Sequence, residues 1–325
     1  MSDSKSKIRV GVLRGGPSGE YEVSLQTGSN VLKHMPEKYH AKDIFIDKNG
    51  VWHLDGIAKP ADKIIRNFDV IFNALHGDFG EDGKVQQILD SFSVPYTGSG
   101  ALASALGMNK YLSKKVFKSR GLKTPHYEMI RKEEASSSRL FGVYANLQKP
   151  LVVKPNSSGS SLGVSIIKEW EDFVVAVEKA FKFSDSVLVE EFIEGREATC
   201  GVLDSAKTRG EVYALAPIEI LKPQENEFFD YDAKYSGKSQ EVCPGDFAPE
   251  QTKKIQDLAV EAHKALGLKH YSRSDFIVTP DEVYILETNT LPGLTSESLL
   301  PKALKHGGCE FHEFLDHVLT LALRK

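Results

Sequence analysis

The chain has 325 residues, room for two to three domains with substantial cores, and its 41% hydrophobic and 26% charged content suits an ordinary globular protein in water. A net charge of −4 points to no nucleic-acid or membrane partner, and no apolar run approaches the ~20 residues of a membrane span. The polar first seven residues lack a signal-peptide core, and Cys200, Cys243 and Cys309 stand far apart with no CxxC spacing, so the expectation is a cytoplasmic protein with reduced thiols.

Residues 8–13 read as a buried strand running into the glycine-rich loop 14–19, and helical periodicity follows over 22–35. A second strand over 69–74 leads into HGDFGEDG at 76–83 and a helix to about 92, which predicts an α/β domain of mainly parallel sheet over 1–100. Both glycine-rich loops lie at carboxyl ends of strands, where such sheets bind ligands. A basic helix over 101–121 opens a central domain, 101–194. Its body is a strand at 150–154, the Gly/Ser loop 155–163, a strand at 164–167, an amphipathic helix at 169–183 and a strand at 187–191. The remainder, 195–325, mixes strands, a polar loop at 224–240, helices over 249–266 and 311–323, and a hairpin.

That hairpin, RSDFIVTPDEVYILETN at 273–289, carries the densest chemistry. A three-residue turn at Pro280, Asp281 and Glu282 pairs Asp275 with Glu287 and Arg273 with Asn289, and puts all four side chains on one face. Two carboxylates and an amide oxygen suit Mg²⁺ or Mn²⁺, whose remaining ligands commonly come from phosphates and water. A nucleotide-dependent enzyme is therefore expected. No G-x-x-x-x-G-K-[ST] loop exists, and the G-x-G-x-x-A match at 98–103 lacks the ribose-binding acid expected about 20 residues on. The acid-free loop 156–163 following Lys154 is suited to wrapping phosphates with backbone N–H groups. The Lys114, Lys115 and Lys118 face is expected to be solvated, Glu81 and Asp82 to cap the helix after them, and Cys243 to be structural.

Taken in order, the segments at 15–24 (GGPSGEYEVS), 76–83, 154–163 (KPNSSGSSLG), 230–235 (DYDAKY), 273–276 and 287–293 (ETNTLPG) resemble the D-alanine–D-alanine ligase family of the ATP-grasp superfamily, across essentially the whole chain. Departures are Gln87, Asn109 and Leu294, where the family commonly has Gly, Asp and Met. The resemblance implies three domains with ATP between the second and third. It implies that Lys110 and Lys154 contact phosphates, Lys234 reaches the γ-phosphate, and Glu190, Glu191, Phe192 and Ile193 line the adenine site with Phe228 as a further wall. Glu197 would take the ribose, and Asp275, Glu287 and Asn289 two Mg²⁺ or Mn²⁺ ions. The implied chemistry is phosphorylation of one D-alanine carboxylate by ATP and attack by the amine of a second, serving peptidoglycan synthesis. Glu20 would anchor the first ammonium and join Ser160 and Tyr235 in a network across the domains. Arg273 with the Gly293 N–H would hold the oxyanion, Ser298 and the Leu299 backbone the second carboxylate, and His76 would sit nearby as an auxiliary. A homodimer is implied in the same way. Joining D-alanine to D-lactate or D-serine is the alternative, disfavoured because the chain keeps Lys234 and Tyr235 in the lid segment 230–237. A nucleotide-binding protein without turnover is the more distant one, disfavoured because Arg273 and every implied metal ligand are retained.

Overall fold

Four consecutive buried positions, 10–13, in β1 (Ile8–Gly15) mark a strand covered on both faces, and the first of three sheets is built around it. The computed structural model describes residues 7–159, 162–221 and 240–324. After β1 come helix α1 (Tyr21–Lys33), β2 (Tyr39–Ile46), the short strands β3 (Trp52–Leu54) and β4 (Ile57–Ala58), helix α2 (Ala61–Ile65), β5 (Val70–Asn73) and helix α3 (Lys84–Ser91). β1 pairs in parallel with β2 and with β5, while β3 and β4 extend the β2 edge as antiparallel strands. Side chains alternate between two cores, as the strand period requires: Val10, Val12 and Phe72 enter one, Leu13, Ile44 and Ile71 the other.

The helix expected over 101–121 is two helices, α4 (Ala101–Met108) and α5 (Lys110–Ser119). Asn109 between them is extended, and its side-chain oxygen accepts from the Leu112 N–H at 3.0 Å, so a short polar side chain caps a new helix where periodicity alone would continue the old one. The second sheet, in the order β6-β9-β7-β8, contains β6 (Tyr127–Arg131), β7 (Leu151–Pro155), β8 (Ser165–Ile167) and β9 (Ser186–Glu191), all antiparallel. Helices α6 (Ser137–Asn146) and α7 (Trp170–Ala180) cover it through Leu140, Val143, Phe173 and Val177.

The third sheet runs β13-β12-β10-β14-β15, with β11 alongside β10. Its strands are β10 (Arg196–Asp204), β11 (Val212–Ala214), β12 (Ile218–Leu221), β13 (Gln240–Val242), β14 (Tyr271–Val278) and β15 (Val283–Asn289). Helix α8 (Pro249–Ala265) packs on it through Ile255, Ala259 and Ala262. In the β14–β15 hairpin Arg273 faces Asn289 and Asp275 faces Glu287, the expected register, reached by a different route. The turn spans 279–282, with Val278 opposite Val283, and is closed by the Thr279 N–H donating to the Glu282 carbonyl at 2.8 Å and the Glu282 N–H to Thr279 Oγ1 at 2.9 Å. A bulge follows, Phe276 pairing Ile285 while Asp275 pairs Glu287, so the extra residue Leu286 cancels the one-residue offset of the longer turn.

The chain then returns to its beginning. Helices α9 (Leu299–His306) and α10 (Phe311–Leu323) place Leu300, Leu304, Phe314, Leu315, Val318 and Leu319 in one core with Val10, Val12 and Phe72 of the first sheet. Tyr39 of β2 donates to Asp316 of α10 at 2.6 Å. Truncating the fully buried Phe314 to Ala should cost about 3–5 kcal/mol and speed hydrogen exchange in β1 and β5 as well as in α10. Faster exchange confined to α10 would show that the first sheet does not depend on it.

Candidate functional site

The second and third sheets face one another across a cleft of about 200 Å³. Val152 and Ile166 from β7 and β8 form one apolar wall, Ile220 and Leu286 from β12 and β15 the other, and the 190–193 segment closes one side. Lys110, Lys154, Asp275 and Glu287 also line it, so the cavity combines an apolar slot with a cluster of charges. Phe192 and Ile193 line the slot, as does Glu197 from β10. The Phe192 N–H donates to the Pro150 carbonyl at 2.9 Å, and Glu191 accepts from the Gln148 N–H at 3.1 Å, which anchors this segment on the second sheet.

Glu190 is the centre of the charged cluster. Its side chain is buried, with Oε2 2.8 Å from Lys154 Nζ and Oε1 2.9 Å from Lys114 Nζ. Lys114 is fully buried and also donates to Thr124 Oγ1 at 2.5 Å, which corrects the expectation that it is solvated. Lys115 and Lys118 stay exposed and lie over the rings of Tyr111 and Tyr127, whereas Lys114, which shares a helix face with Lys118 one turn nearer the cleft, is buried. Burial pushes Lys114 down to about 8 against the upward pull of Glu190. Burial also pushes Glu190 up, but Lys114 and Lys154 outweigh it and hold the carboxyl below its usual range.

Lys110, at the start of α5, donates to the Ser158 carbonyl at 2.6 Å and lies 3.2 Å from Glu287. Along β14, Arg273 grips Asp275 with two bonds of 3.0 Å, and from the neighbouring β10 Thr199 Oγ1 donates to the same carboxylate at 2.6 Å. Asn289 Oδ1 accepts from the Leu291 N–H at 2.9 Å. Among the described residues no three His, Cys, Asp or Glu side chains converge to hold a metal. Two carboxylates opposed on neighbouring strands, with an amide oxygen beyond, are nonetheless hard donors that fit a magnesium-type ion completed by phosphate oxygens and water.

Glu20 reaches the same region from the first sheet. Its Oε2 would lie 2.6 Å from a Cβ on Gly159 and 2.8 Å from one on Gly77, so both loops pass close to the carboxylate, Gly77 in the left-handed conformation (φ +68°) that favours glycine. His76 is buried, with Nε2 2.8 Å from Thr27 Oγ1 and Nδ1 3.4 Å from Glu81. Glu81 accepts from the Gly77 N–H at 3.1 Å rather than capping α3, which corrects that expectation, while Asp82 accepts from the Lys84 N–H at 3.0 Å. Further along, Ser298 precedes Leu299 at the start of α9, and its Oγ would lie 2.9 Å from a Cβ on Gly293. Ser160, Phe228, Lys234 and Tyr235, with the proposed lid, lie outside the described residues.

A family profile described as D-ala D-ala ligase C-terminus matches residues 116–320, and one described as D-ala D-ala ligase N-terminus matches 9–66 and 57–99. The D-alanine–D-alanine ligases of Geobacter sulfurreducens and Syntrophobacter fumaroxidans are 42% and 40% identical over 98% of this chain, covering 96% and 99% of their own. A D-alanine–D-alanine ligase from Bacillus anthracis complexed with ATP superposes with a TM-score of 0.81 at 30% identity, covering 98% of each chain. The VanG D-Ala:D-Ser ligase of Enterococcus faecalis does so with a TM-score of 0.85 at 32% identity, over 98% of this chain and 100% of that one.

Glu190→Gln leaves two buried ammonium groups without their carboxylate and should cost about 3–5 kcal/mol, read as a lower urea midpoint. Lys114 titrates near 8 when folded and near ~10.4 when exposed, so across that window the unfolded chain holds a proton that the folded chain has shed. Stability therefore rises with pH there, and the wild type should gain on Lys114→Met between pH 8 and 10. A constant difference between the two would show that Lys114 does not titrate in that range.

Proposed function

Because the chain belongs to the D-alanine–D-alanine ligase family, we infer that its cleft binds ATP and that its three sheets together join two D-alanine molecules into D-alanyl-D-alanine through an acyl phosphate. The observation that carries this reading is the charged end of the cleft. Lys110, 3.2 Å from Glu287, and Lys154 line the cleft together with the opposed carboxylates Asp275 and Glu287 and an apolar slot.

Each residue then has a task that follows from its charge and position. The adenine lies between Val152, Ile166, Ile220 and Leu286 beside the 190–193 segment, with Glu197 at the ribose. Lys110 and Lys154 neutralise phosphate oxygens, a charge-assisted interaction stronger than a neutral hydrogen bond, and Lys234 is assigned to the γ-phosphate. Asp275, Glu287 and Asn289 would hold two Mg²⁺ or Mn²⁺ ions, which would supply further neutralisation of the transferring phosphoryl group. Glu20 attracts the ammonium of the first D-alanine. The carboxylate of that D-alanine attacks the γ-phosphorus and ADP leaves; the neutral amine of the second D-alanine then attacks the acyl carbon, and phosphate leaves with the amine's proton. Arg273 and the Gly293 N–H stabilise the oxyanion of that second step, while Ser298 and the Leu299 N–H at the start of α9 take the second carboxylate, where a helix dipole favours an anion. His76 positions Thr27 rather than moving protons, since both of its ring nitrogens face protein partners. Ser160 and Tyr235 complete the assignment as the network that closes over the intermediate and keeps water out.

We divide the chain at about 100 and 194 on this reading, each part carrying one sheet. A homodimeric assembly rests on family resemblance alone, and a cytoplasmic location on the ATP consumed. Among the described residues no helix is long and apolar enough to cross a membrane.

Purified protein with ATP and Mg²⁺ should release phosphate and form D-alanyl-D-alanine, by mass spectrometry, when given D-alanine alone. Phosphate release only with added D-serine or D-lactate, and a mixed product, would move the reading to the corresponding ligase; no D-alanine-dependent turnover would reject it. Arg273→Met should lower kcat by about 10²–10³-fold, the loss typical of one oxyanion donor, with the KM for ATP little changed.

A further inference from the structure

Helix α1 begins directly after Glu20, and two turns further along it holds the loop that carries Gly293 and Ser298. Asn30 Nδ2 donates to the Leu294 carbonyl at 2.7 Å, and the Leu294 N–H donates to Thr27 Oγ1 at 3.5 Å. Both peptide groups flanking the Leu294 Cα are thus tied to residues three apart on one helix, which share a face. Thr27 is fully buried and held by His76, whose other ring nitrogen faces Glu81. Beyond Leu294 the loop closes on itself, the Thr295 N–H donating to Ser298 Oγ at 3.1 Å and the two hydroxyls meeting at 2.8 Å.

A helix is a stiff spacer. Seven residues from Glu20 to Thr27 rise roughly 10 Å, a distance fixed by backbone geometry rather than by a loop. The carboxylate assigned to the first substrate and the loop assigned to the second are therefore two ends of one rigid element.

We propose that Asn30, seconded by Thr27, is a positioning residue that locks the 293–298 loop to the helix carrying Glu20, and so holds the second substrate's amine in line with the activated acyl carbon. This rests on the roles given above to Glu20, Gly293 and Ser298. Neither Asn30 nor Thr27 has a role in contacting the reacting atoms; they act through Leu294. The acyl phosphate has two fates. Attack by the amine forms the C–N bond and expels phosphate, giving dipeptide; attack by water forms a C–O bond, expels phosphate and returns D-alanine. Each consumes one ATP, so loss of alignment appears as phosphate released without dipeptide.

Asn30 is half-buried beside an open groove that Gln26, Ser29, Thr295 and Ser296 share, so replacing it leaves the helix core in place. Asn30→Leu removes the donor, and Asn30→Asp keeps the shape but presents only acceptors to the Leu294 carbonyl. In the full-length chain with ATP, Mg²⁺ and D-alanine, the wild type should release about one phosphate per dipeptide. Both variants should release several-fold more per dipeptide and show a KM for the second D-alanine raised about tenfold, with the KM for ATP unchanged and melting temperatures measured alongside. A variant that melts earlier yet keeps one phosphate per dipeptide and a wild-type KM would overturn the proposal and leave Asn30 as packing. A wild type that makes no dipeptide would overturn the functional reading itself, a failure recognisable before any variant is compared.

Discussion

Burying the Glu190 carboxylate costs several kcal/mol of lost hydration, and the fold offsets that cost from two directions at once. Lys154 comes from the neighbouring strand of the same sheet, but Lys114 comes from α5, whose Phe117 is packed in the core of the third sheet with Ile255 and Ile285. Just past α5 the Lys123 carbonyl accepts from the Ile285 N–H of that sheet at 2.9 Å. The ion pair ties the second sheet to α5, and Phe117 and the Lys123 carbonyl tie α5 to the third, so this helix links the two walls of the cleft. The first turn of the same helix sends Lys110 to Glu287 and the Ser158 carbonyl, which sets both loop and metal-type ligands against one rigid post.

The residues of the charged cluster are largely legible in the sequence, because strand pairing has period two and a turn fixes register. Arg273, Asp275, Glu287 and Asn289 need only that rule. The rule succeeds although its premise is off by one residue at the turn, because the bulge at Leu286 shifts the register back and keeps Asp275 opposite Glu287. What cannot be read is direction out of a helix. Lys115 lies about 100° around the helix from Lys114 and Lys118 only about 40°, one turn further on, and nothing local says which of the three lysines finds a carboxylate contributed by another sheet. The apolar offsets of α5, with Ser113 and Phe117 buried, are the available signal.

The first sheet presents the complementary case. Its parallel pair β1 and β5 is visible as runs of apolar residues, whereas β2 shows only the short apolar stretch 44–46 after a polar 40–43 broken by Ala41, and β3 and β4 are too short to show a pattern. Nor does any local pattern announce that α10, at the far end of the chain, supplies the layer over Val10, Val12 and Phe72. That long-range closure has a mechanical consequence. The sheet whose first loop leads to Glu20 is braced by helices that follow directly on the Gly293–Ser298 loop, so the two ends proposed to hold substrate share one core.

A chain of net charge −4 that takes ATP cannot rely on a positive surface. Its cations at the cleft are instead each matched to a carboxylate: Lys110 to Glu287, Lys154 and Lys114 to Glu190, and Arg273 to Asp275. Unpaired cations in so apolar a slot would be costly, and these carboxylates offset most of that charge. On the proposed reading, a polyphosphate arriving with divalent cations would bring both signs and would be accommodated by exchange of partners, Lys110 turning toward phosphate as Glu287 turns toward metal. Such an exchange conserves the number of compensated charges throughout.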